Sequence, residues 1–235
     1  MALRGNQVYE KIRNYFSDKG LNDYAIAGLL GNLYCESGLN PKNLQNSFER
    51  KLGLSDEKYT EQVDNSVYKN FSNDRAGYGL CQWTHPSRKK KLLKFANQKG
   101  SSIGDLEMQL DFLYKELSES YKRVWKSLQT AETVREASDV ILLQFERPAN
   151  QSEENCSRRA SCGERFYEKF MEDTPMNDDT NEKDNVPDEW AKEAVEWAVR
   201  NKILLGNAKG DYKLHNNCTR QEMLIFLNRL YKMVR

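Results

Sequence analysis

Glu36 is the residue of this chain best placed to act as an acid catalyst. It lies at the C-terminal end of a predicted helix that starts after an N-cap, Asn22, and carries DYAIAGLLGNLYCESG. At about 100° per residue, Glu36 falls at the edge of the apolar stripe that includes Leu29 and Leu33. Partial desolvation and the negative end of the helix dipole would both favour the protonated carboxyl group. A carboxylic acid that keeps its proton near neutral pH can donate it to a glycosidic oxygen.

A second motif strengthens this assignment, because a glutamate at a helix end is by itself more often a solvated surface residue. The two motifs are ESGLNP at 36–41 and AGYGLCQW at 76–83. In this order they resemble the lysozyme-like superfamily of lytic transglycosylases and goose-type lysozymes, which carry E-S-x-x-x-P followed by G-x-x-Q. Residues 8–170 more closely resemble the phage-tail lysozyme family, found in lysins of phages of Gram-positive hosts, through NDYAIAGLLGNLYCESGLNP, AGYGLCQW and QFERPANQS.

The resemblance implies an α+β domain, mainly helical, with a groove for peptidoglycan glycan strands into which Glu36 projects. By this match Ser37 would hold the Glu36 carboxyl group or the end of its helix. Gly79 would let the backbone approach the sugar, and Gln82 would hydrogen-bond an N-acetyl group or Glu36. The rings of Tyr78 and Trp83 would stack on sugar. The expected substrate contacts are therefore Ser37, Tyr78, Gly79, Gln82 and Trp83.

The choice between transglycosylation and hydrolysis depends on a second carboxylate. A hydrolytic glycosidase needs one at roughly 5–5.5 Å for retention or roughly 6.5–9.5 Å for inversion. Asp74, shortly before the second motif, is the first candidate, and the others are Glu49, Asp56, Asp64 and Glu146. Glu146, in QFERP, is flanked by arginine and is more typical of an internal salt bridge.

With a single clear carboxylate, we predict a lytic transglycosylase acting between N-acetylmuramic acid and N-acetylglucosamine. Glu36 would protonate the leaving oxygen and then deprotonate the muramic 6-hydroxyl group, which closes a 1,6-anhydro ring. The alternative is a hydrolytic muramidase that uses a second carboxylate. Two further alternatives are a non-catalytic wall-binding module and a cysteine peptidase or amidase that uses Cys81 with His85.

The cysteine and histidine content predicts neither a disulfide framework nor a metal site. The five cysteines form no CxxC pair, and the only two histidines, His85 and His215, are far apart in the sequence. We therefore expect no metal and no other cofactor. If the two motifs face each other, Cys35 and Cys81 come close together, more often as a packed pair of thiols than as a disulfide.

A polar, acidic stretch at 173–187, DTPMNDDTNEKDNVP, is typical of a linker. We predict a lysozyme-like peptidoglycan-cleaving domain over 1–172 and a small helical domain over 188–235. After the first two helices, periodicity predicts further ones around 86–99, 103–118, 120–129, 133–146 and 157–172. Segment 40–84 is expected to hold loops with a few short strands.

The C-terminal domain resembles a single S-layer-homology repeat, through W-A-x-x-A-V, G-N-x-x-G-D and T-R-x-E. By this match Trp190, Gly206 and Arg220 would face a secondary cell-wall polymer. Leu214 and His215 replace the aromatic-proline pair usually found before T-R, which puts ligand contact there in doubt. Such repeats often work in threes, so a lone repeat leaves three outcomes open: weak binding, pairing with another copy, or dimerisation of the enzyme.

The composition excludes several other classes of partner. Lys and Arg total 36 against 35 Asp and Glu, which is too balanced for a typical nucleic-acid-binding protein. No stretch approaches the roughly 20 apolar residues of a membrane-spanning helix, and the N-terminus shows no secretory signal. We therefore expect an endolysin that is made in the host cytoplasm and reaches the wall after release. A lysin carried by the virion would show the same features.

Overall fold

Helices make up nearly all the regular structure of this protein in the computed structural model, which describes residues 3–173, 184–207, 210–215, 218 and 220–233. The chain forms two units, Met1–Thr174 and Pro175–Arg235. The predicted linker at 173–187 spans the division between them, and its residues 174–183 lie outside the described part of the chain. Within the described ranges, no helix combines the length and the apolar character needed to cross a membrane.

The first unit is built from α-helices of 7 to 21 residues, two of which continue into π-helical turns. In chain order the helices are α1 (Val8–Ser17), α2 (Asp23–Ser37), α3 (Asn46–Leu52), α4 (Asp56–Asp64), α5 (Pro86–Lys99), α6 (Leu106–Lys115), α7 (Lys122–Gln129), α8 (Val134–Val140) and α9 (Glu153–Asp173). The π-helical turns are Glu116–Ser120, after α6, and Ile141–Glu146, after α8. All five helices predicted after residue 85 are present, although α9 starts before residue 157.

Segment 40–84 differs most from the prediction. It contains two helices, α3 and α4, and a single isolated antiparallel bridge that joins Leu44 to Tyr78. Nowhere in the described ranges do strands form a sheet, so the mainly helical character of the predicted class is confirmed and its α+β label is not. The sequence of α4 is too polar to show helical periodicity, because its buried residues are only Tyr59, Thr60 and Val63.

α2 is the central helix of the first unit, and it positions Glu36. The Asn22 side chain caps it by accepting a hydrogen bond of 2.9 Å from the backbone nitrogen of Ala25. Gly38 ends it in the left-handed conformation, with a φ of 62°. Both boundaries agree with the prediction. Every residue from Ala25 to Leu33 is buried, because α9, α8 and α1 pack around this helix.

Glycines let α2 and α9 approach each other closely. A Cβ on Gly31 would lie 2.5 Å from the carbonyl oxygen of Arg159 and 2.5 Å from the backbone nitrogen of Gly163. A Cβ on Gly163 would in turn lie 2.8 Å from the carbonyl oxygen of Ala27. This contact brings Arg159 alongside the last turns of α2, where Glu36 lies.

The second unit contains a 3₁₀ turn at Glu189–Ala191, α10 (Lys192–Arg200) and α11 (Arg220–Met233). Many of its large apolar side chains are exposed, among them Trp190 and Leu224. Asp184 accepts a hydrogen bond of 2.7 Å from the backbone nitrogen of His215, and its carboxylate also lies 2.6 Å from Nδ1 of that ring. This pair connects the residues before α10 with those before α11.

Candidate active site

Glu36 is held by an arginine that the motifs did not indicate. A terminal nitrogen of Arg159, on α9, donates a hydrogen bond to Oε1 of Glu36. The Glu36 side chain keeps 21% of its surface exposed, whereas that of Arg159 keeps 6%. The predicted position at a helix end is confirmed. The expected apolar surroundings are corrected, because the carboxyl group of Glu36 faces a buried cation.

Arg159 binds a second carboxyl group through its other terminal nitrogen. Nη1 lies 2.7 Å from Oε2 of Glu146, whose side chain is 5% exposed. Nη1 also lies 3.3 Å from Oδ1 of Asn32. Asn32 is fixed in turn, since its amide nitrogen donates to the Gly28 carbonyl group (2.9 Å) and to the Ser138 hydroxyl group (3.0 Å). The guanidinium group thus joins the end of α2 to the end of the π-helical turn after α8.

Glu146 has an unusual protonation equilibrium. Burial raises its pKa to about 8, and the charge of Glu36 and a hydrogen bond with it act in the same direction. The positive charges of Arg159 and Arg88 oppose this shift. Oε1 of Glu146 and Nε of Arg159 are buried without a hydrogen-bond partner in the described residues. The direction of this shift favours the protonated form of the group.

Tyr78 and Trp83, which were expected to stack on sugar, are fully buried. Nε1 of Trp83 donates a hydrogen bond of 2.8 Å to the buried Glu116, and the Tyr78 hydroxyl group lies 2.6 Å from that of Thr60. Neither ring offers a face to a sugar, so the stacking prediction is wrong. Both rings instead fasten segment 76–83 to the core.

Ser37 connects the two motifs. Its hydroxyl group lies 3.1 Å from the carbonyl oxygen of Leu33 and 3.0 Å from that of Leu80. It therefore fixes the end of α2 against the second motif, which was one of its two predicted roles. Its described contacts do not include the carboxyl group of Glu36.

Gly79 and Gln82 are placed by neighbours within the protein. Gly79 has a φ of 73°, and a Cβ there would lie 2.7 Å from the side-chain amide of Gln109. Gln82 is half-buried and donates from Nε2 to the carbonyl oxygen (3.0 Å) and to Oδ1 (2.8 Å) of Asn43. None of its contacts in the described ranges reaches Glu36. Substrate contact by Gly79 and Gln82 stays a prediction.

Asp74, the first candidate for a second carboxylate, is buried in an ion pair that does not include Glu36 or Arg159. Its Oδ1 lies 2.6 Å from Nζ of Lys89, and the two side chains are only 3% and 0% exposed. The hydroxyl groups of Tyr59 and Tyr68 donate to its other oxygen. Because both oxygens are bound and the side chain is buried, Asp74 does not reach a substrate. The prediction of a catalytic role for it is wrong.

Cys35 pairs with Cys162 rather than with Cys81. The two sulfur atoms lie 3.5 Å apart, with Cys162 on the turn of α9 that follows Arg159. Burial raises the pKa of Cys35 to about 11, and the hydrogen bond with Cys162 adds to the shift. A thiol with a raised pKa therefore directly precedes Glu36 in the chain, and its partner Cys162 lies on α9.

The cysteine-nucleophile alternative loses its support. Cys81 is buried, and burial raises its pKa well above the usual value of a thiol. His85 is exposed, and its Nδ1 lies 2.9 Å from the hydroxyl group of Ser87. Across the described residues, no three acidic, histidine or cysteine side chains are grouped to hold a metal ion.

An open groove of about 630 Å³ lies at the C-terminal end of α2, and Glu36 is not among the residues that line it. It is lined by the loop at 38–41 and by the exposed ring of Tyr34. Arg165 and Lys169, on the exposed side of α9, add two positive charges. Aromatic and cationic groups together suit an extended ligand that carries both apolar faces and carboxylates.

All three residues predicted to bind a wall polymer, Trp190, Gly206 and Arg220, lie in the second unit. Trp190 is 87% exposed, which leaves its ring accessible. Gly206 lies in a tight turn, where a Cβ would be 2.9 Å from the carbonyl carbon of Gly210. The side chain of Arg220 lies outside the described part of the chain, and wall binding stays a prediction.

The predicted internal salt bridge of Glu146 is confirmed. The site residues that the motifs did not indicate are Arg159 and Cys162. A signal was present in RRASCG at 158–163. Small residues beside two arginines indicate a helix face that packs closely while it carries charge. Nothing in the sequence indicated that this face meets the end of α2.

The chain is similar to known phage proteins. A family model described as phage tail lysozyme matches residues 7–170, which is more than half of the chain. Morphogenesis protein 1 of Bacillus phage B103 is 28% identical over 152 residues, covering 60% of this chain and 34% of that protein. The chain thus spans about a third of the length of this relative.

Proposed function

Because the chain belongs to the phage tail lysozyme family, we propose that it cleaves the glycan strands of bacterial peptidoglycan with Glu36 as the general acid and base. The position of Glu36 carries this proposal. Its carboxyl group is partly exposed, stands at the end of a buried helix near an open groove, and is bound to a buried arginine. Packing fixes the group, while its exposed edge can reach a sugar oxygen.

In the proposed reaction, Glu36 gives its proton to the glycosidic oxygen as the bond to C1 of N-acetylmuramic acid breaks. The carboxylate that remains is stabilised by Arg159 while positive charge develops on the sugar. The carboxylate then takes the proton of the muramic 6-hydroxyl group, whose oxygen bonds to C1 and closes the 1,6-anhydro ring. The proton that Glu36 loses thus returns to it, and no water is consumed.

Hydrolysis by a muramidase is the alternative, and the arrangement of carboxylates argues against it. A second carboxylate would have to stand roughly 5–5.5 Å or 6.5–9.5 Å from the first. Asp74 is buried in an ion pair with Lys89. Glu146 is bound to the same guanidinium group as Glu36 and is only 5% exposed, so its carboxyl group has little surface to offer a substrate. Transglycosylation needs only one carboxylate on the substrate.

The groove beside Glu36 is the proposed path of the substrate. Its positive side chains, Arg165 and Lys169, suit the carboxylates of peptidoglycan, and the ring of Tyr34 suits the face of a sugar. This placement predicts that Tyr34→Ala raises the KM for soluble peptidoglycan fragments several-fold with little change in kcat.

Mass spectrometry of the products from purified Gram-positive peptidoglycan tests the proposal. The wild-type chain should release anhydromuramyl ends, and Glu36→Gln should release none. Glu61→Gln, an exposed change on α4, is the matched control and should behave like the wild type. Reducing muramic ends lost in Glu36→Gln would establish a muramidase instead. Unchanged products from Glu36→Gln would refute the assignment of Glu36.

The comparisons favour delivery by a phage particle over release as an endolysin. The family is described as a tail lysozyme, and the Bacillus phage relative is named as a morphogenesis protein. Peptide mass spectrometry of purified virions distinguishes the two routes. Detection of the chain at a fixed copy number supports a particle-borne enzyme, and its absence from virions but presence in lysates supports an endolysin.

The second unit is proposed to bind the cell wall, through a secondary polymer that contacts the exposed Trp190. Sedimentation of the full chain with purified walls tests this role. Trp190→Ala should reduce the bound fraction, and so should removal of the secondary polymer from the walls. Equal sedimentation of the wild type and the variant would refute the role of Trp190. Analytical ultracentrifugation tests dimerisation, which is one of the three outcomes left open for a lone repeat.

A further inference from the structure

We propose that Glu146 is a positioning residue that shares one proton with Glu36 across the guanidinium group of Arg159. The inference rests on the proposed function, in which Glu36 is the catalytic residue, and assigns Glu36 a second carboxyl group as its proton partner. Its basis is geometric: Nη1 of Arg159 holds Oε2 of Glu146 at 2.7 Å, and Nη2 holds Oε1 of Glu36. Two carboxyl groups are thus bound side by side to a single cation.

The charges of this cluster balance with one proton. Two ionised carboxylates and one guanidinium group would leave a net negative charge among side chains that are 5%, 6% and 21% exposed. Burying an uncompensated charge is costly, whereas one carboxylic acid, one carboxylate and one guanidinium group sum to zero. Like-charged carboxyl groups in contact commonly hold one proton between them.

The proton resides mainly on Glu146 in the resting site. Glu146 is the more deeply buried of the two, and its pKa is raised to about 8, first by desolvation and then by the charge of Glu36. The charged groups that face it are Glu36 from α2, Arg159 from α9 and Arg88 from α5, and the two arginines oppose the shift. Its Oε1 is buried without a hydrogen-bond partner in the described residues, a situation that costs more for an ionised carboxylate than for a neutral acid.

This arrangement supplies the acid that the reaction needs. When the proton moves from Glu146 to Glu36, one O–H bond breaks, another forms, and Arg159 balances the new carboxylate of Glu146. Glu36 then donates to the glycosidic oxygen and later recovers a proton from the muramic 6-hydroxyl group. Glu146 touches no substrate, and it supplies Glu36 with the proton.

Local structure agrees with a functional role for Glu146. It is the last residue of the π-helical turn Ile141–Glu146, and Arg147 after it has a φ of 51°. π-helical turns inside helices are frequent at functional sites, because they redirect a side chain at some cost in backbone geometry. Here the turn ends at the side chain that reaches Arg159.

The test is the pH profile of Glu146→Gln, which keeps the shape of the side chain and removes its proton equilibrium. Without the neighbouring acid, no second carboxyl group holds a proton beside Glu36, which pairs with Arg159 alone. We expect kcat near pH 7.5 to fall about tenfold or more with KM within twofold of the wild type. The alkaline limb should move to lower pH by about one unit or more, and Glu146→Asp should restore part of the shift.

Three outcomes separate this inference from the proposed function. Activity in Glu36→Gln would refute the function itself. An inactive Glu36→Gln beside a Glu146→Gln variant with the wild-type profile would refute only the shared proton. A lower melting temperature with an unchanged profile would show a purely structural role for Glu146 and would also refute it.

A measurement on the wild-type chain keeps the inference testable if Glu146→Gln fails to fold. Carbon-13 NMR of glutamate carboxyl groups should show one that titrates near pH 8. In Glu36→Gln this transition should move to lower pH, because the neighbouring negative charge is gone. A transition that stays near pH 8 in that variant, or the absence of such a transition from the wild type, would overturn the proposal.

Discussion

Gly31 and Gly163 meet at the crossing of α2 and α9, where a Cβ on Gly31 would lie 2.5 Å from the backbone nitrogen of Gly163. The crossing places Arg159 next to Glu36, so this contact underlies the geometry of the site. Gly31→Ala should force the helices apart and lower the free energy of unfolding by about 3 kcal/mol, as overpacked cores do. Chemical denaturation measures the loss, and lysis assays on the folded fraction measure the effect on the site.

Gly53→Ala is the matched control for this prediction. Gly53 ends α3 with a φ of 64°, and a Cβ added there would have no neighbour within 4 Å, so only the backbone conformation is strained. Its cost should be about 1 kcal/mol, with activity retained. Equal losses in the two variants would contradict the close helix contact as the cause.

Asp74 and Lys89 form a buried ion pair whose role is structural. Asp74→Asn should lower the free energy of unfolding by about 3 to 5 kcal/mol, because it leaves the Lys89 ammonium group buried without a counter-charge. The catalytic rate per folded molecule should stay unchanged. The double change Asp74→Leu with Lys89→Met should recover most of the stability. A loss of activity at unchanged stability would restore Asp74 as a catalytic candidate.

The stability of Asp74→Asn should also depend on pH in a defined direction. Burial lowers the pKa of Lys89, and Asp74 opposes that shift, so its removal lowers the pKa further. Between this lowered pKa and the ordinary value, the unfolded chain binds more protons than the folded one. The free energy of unfolding therefore rises with pH, and the deficit of the variant should be smaller at pH 10 than at pH 7. Urea titrations at the two pH values measure it.

Local patterns were sufficient to predict much of the helical framework. The cap at Asn22 and the stop at Gly38 bound α2 as expected, because both depend on residues adjacent in sequence. The helix at α4 was missed, since it buries few apolar residues and its packing partners are distant in sequence. Tyr78 was also misplaced by the sequence because its contacts are distant in the chain. Its hydroxyl group pairs with that of Thr60, and its ring is buried although it was expected at the substrate.

Of the candidate site, only the residues that belong to the ESGLNP motif could be predicted from the sequence. Glu36 belongs to a recognisable sequence pattern, whereas Arg159 lies 123 residues further along the chain. Glu146 was correctly expected in a salt bridge, but its relation to Glu36 depends on how α2, α9 and the π-helical turn pack together. Sequence spacing carries no information on a crossing between helices so far apart in the chain.

The thiol of Cys35 should react slowly with alkylating agents and yet form a disulfide with Cys162 under oxidants. Burial raises the pKa of Cys35 to about 11, so its reactive thiolate is scarce at pH 7 and increases as the pH rises. The exposed Cys218 should therefore be modified by iodoacetamide well before Cys35 at pH 7. Peptide mass spectrometry measures both rates, and a faster reaction at Cys35 would contradict its buried, protonated state.

Oxidation tests the distance between these sulfur atoms. They lie 3.5 Å apart, so a small side-chain rotation brings them within bonding distance. A thiol oxidant should link Cys35 to Cys162, while Cys81 stays reduced in its buried position. Cys162→Ser is the control and should leave Cys35 without a partner. A Cys35–Cys81 link would contradict the described geometry.

Glu146 should make the free energy of unfolding fall as the pH rises. Its pKa is about 8 in the folded protein against an ordinary 4.5, so between these values the folded chain holds a proton that the unfolded chain has lost. Its contribution is complete below pH 4.5 and is lost as the pH rises through 8, with a slope of about 1.4 kcal/mol per pH unit. Glu146→Gln removes this term, so its stability should vary less between pH 5 and 8 than that of the wild type. Denaturant titrations across this range measure the slope, and Glu61→Gln is the control that should keep the wild-type slope. Parallel curves for the wild type and Glu146→Gln would show that Glu146 is ionised in the folded protein.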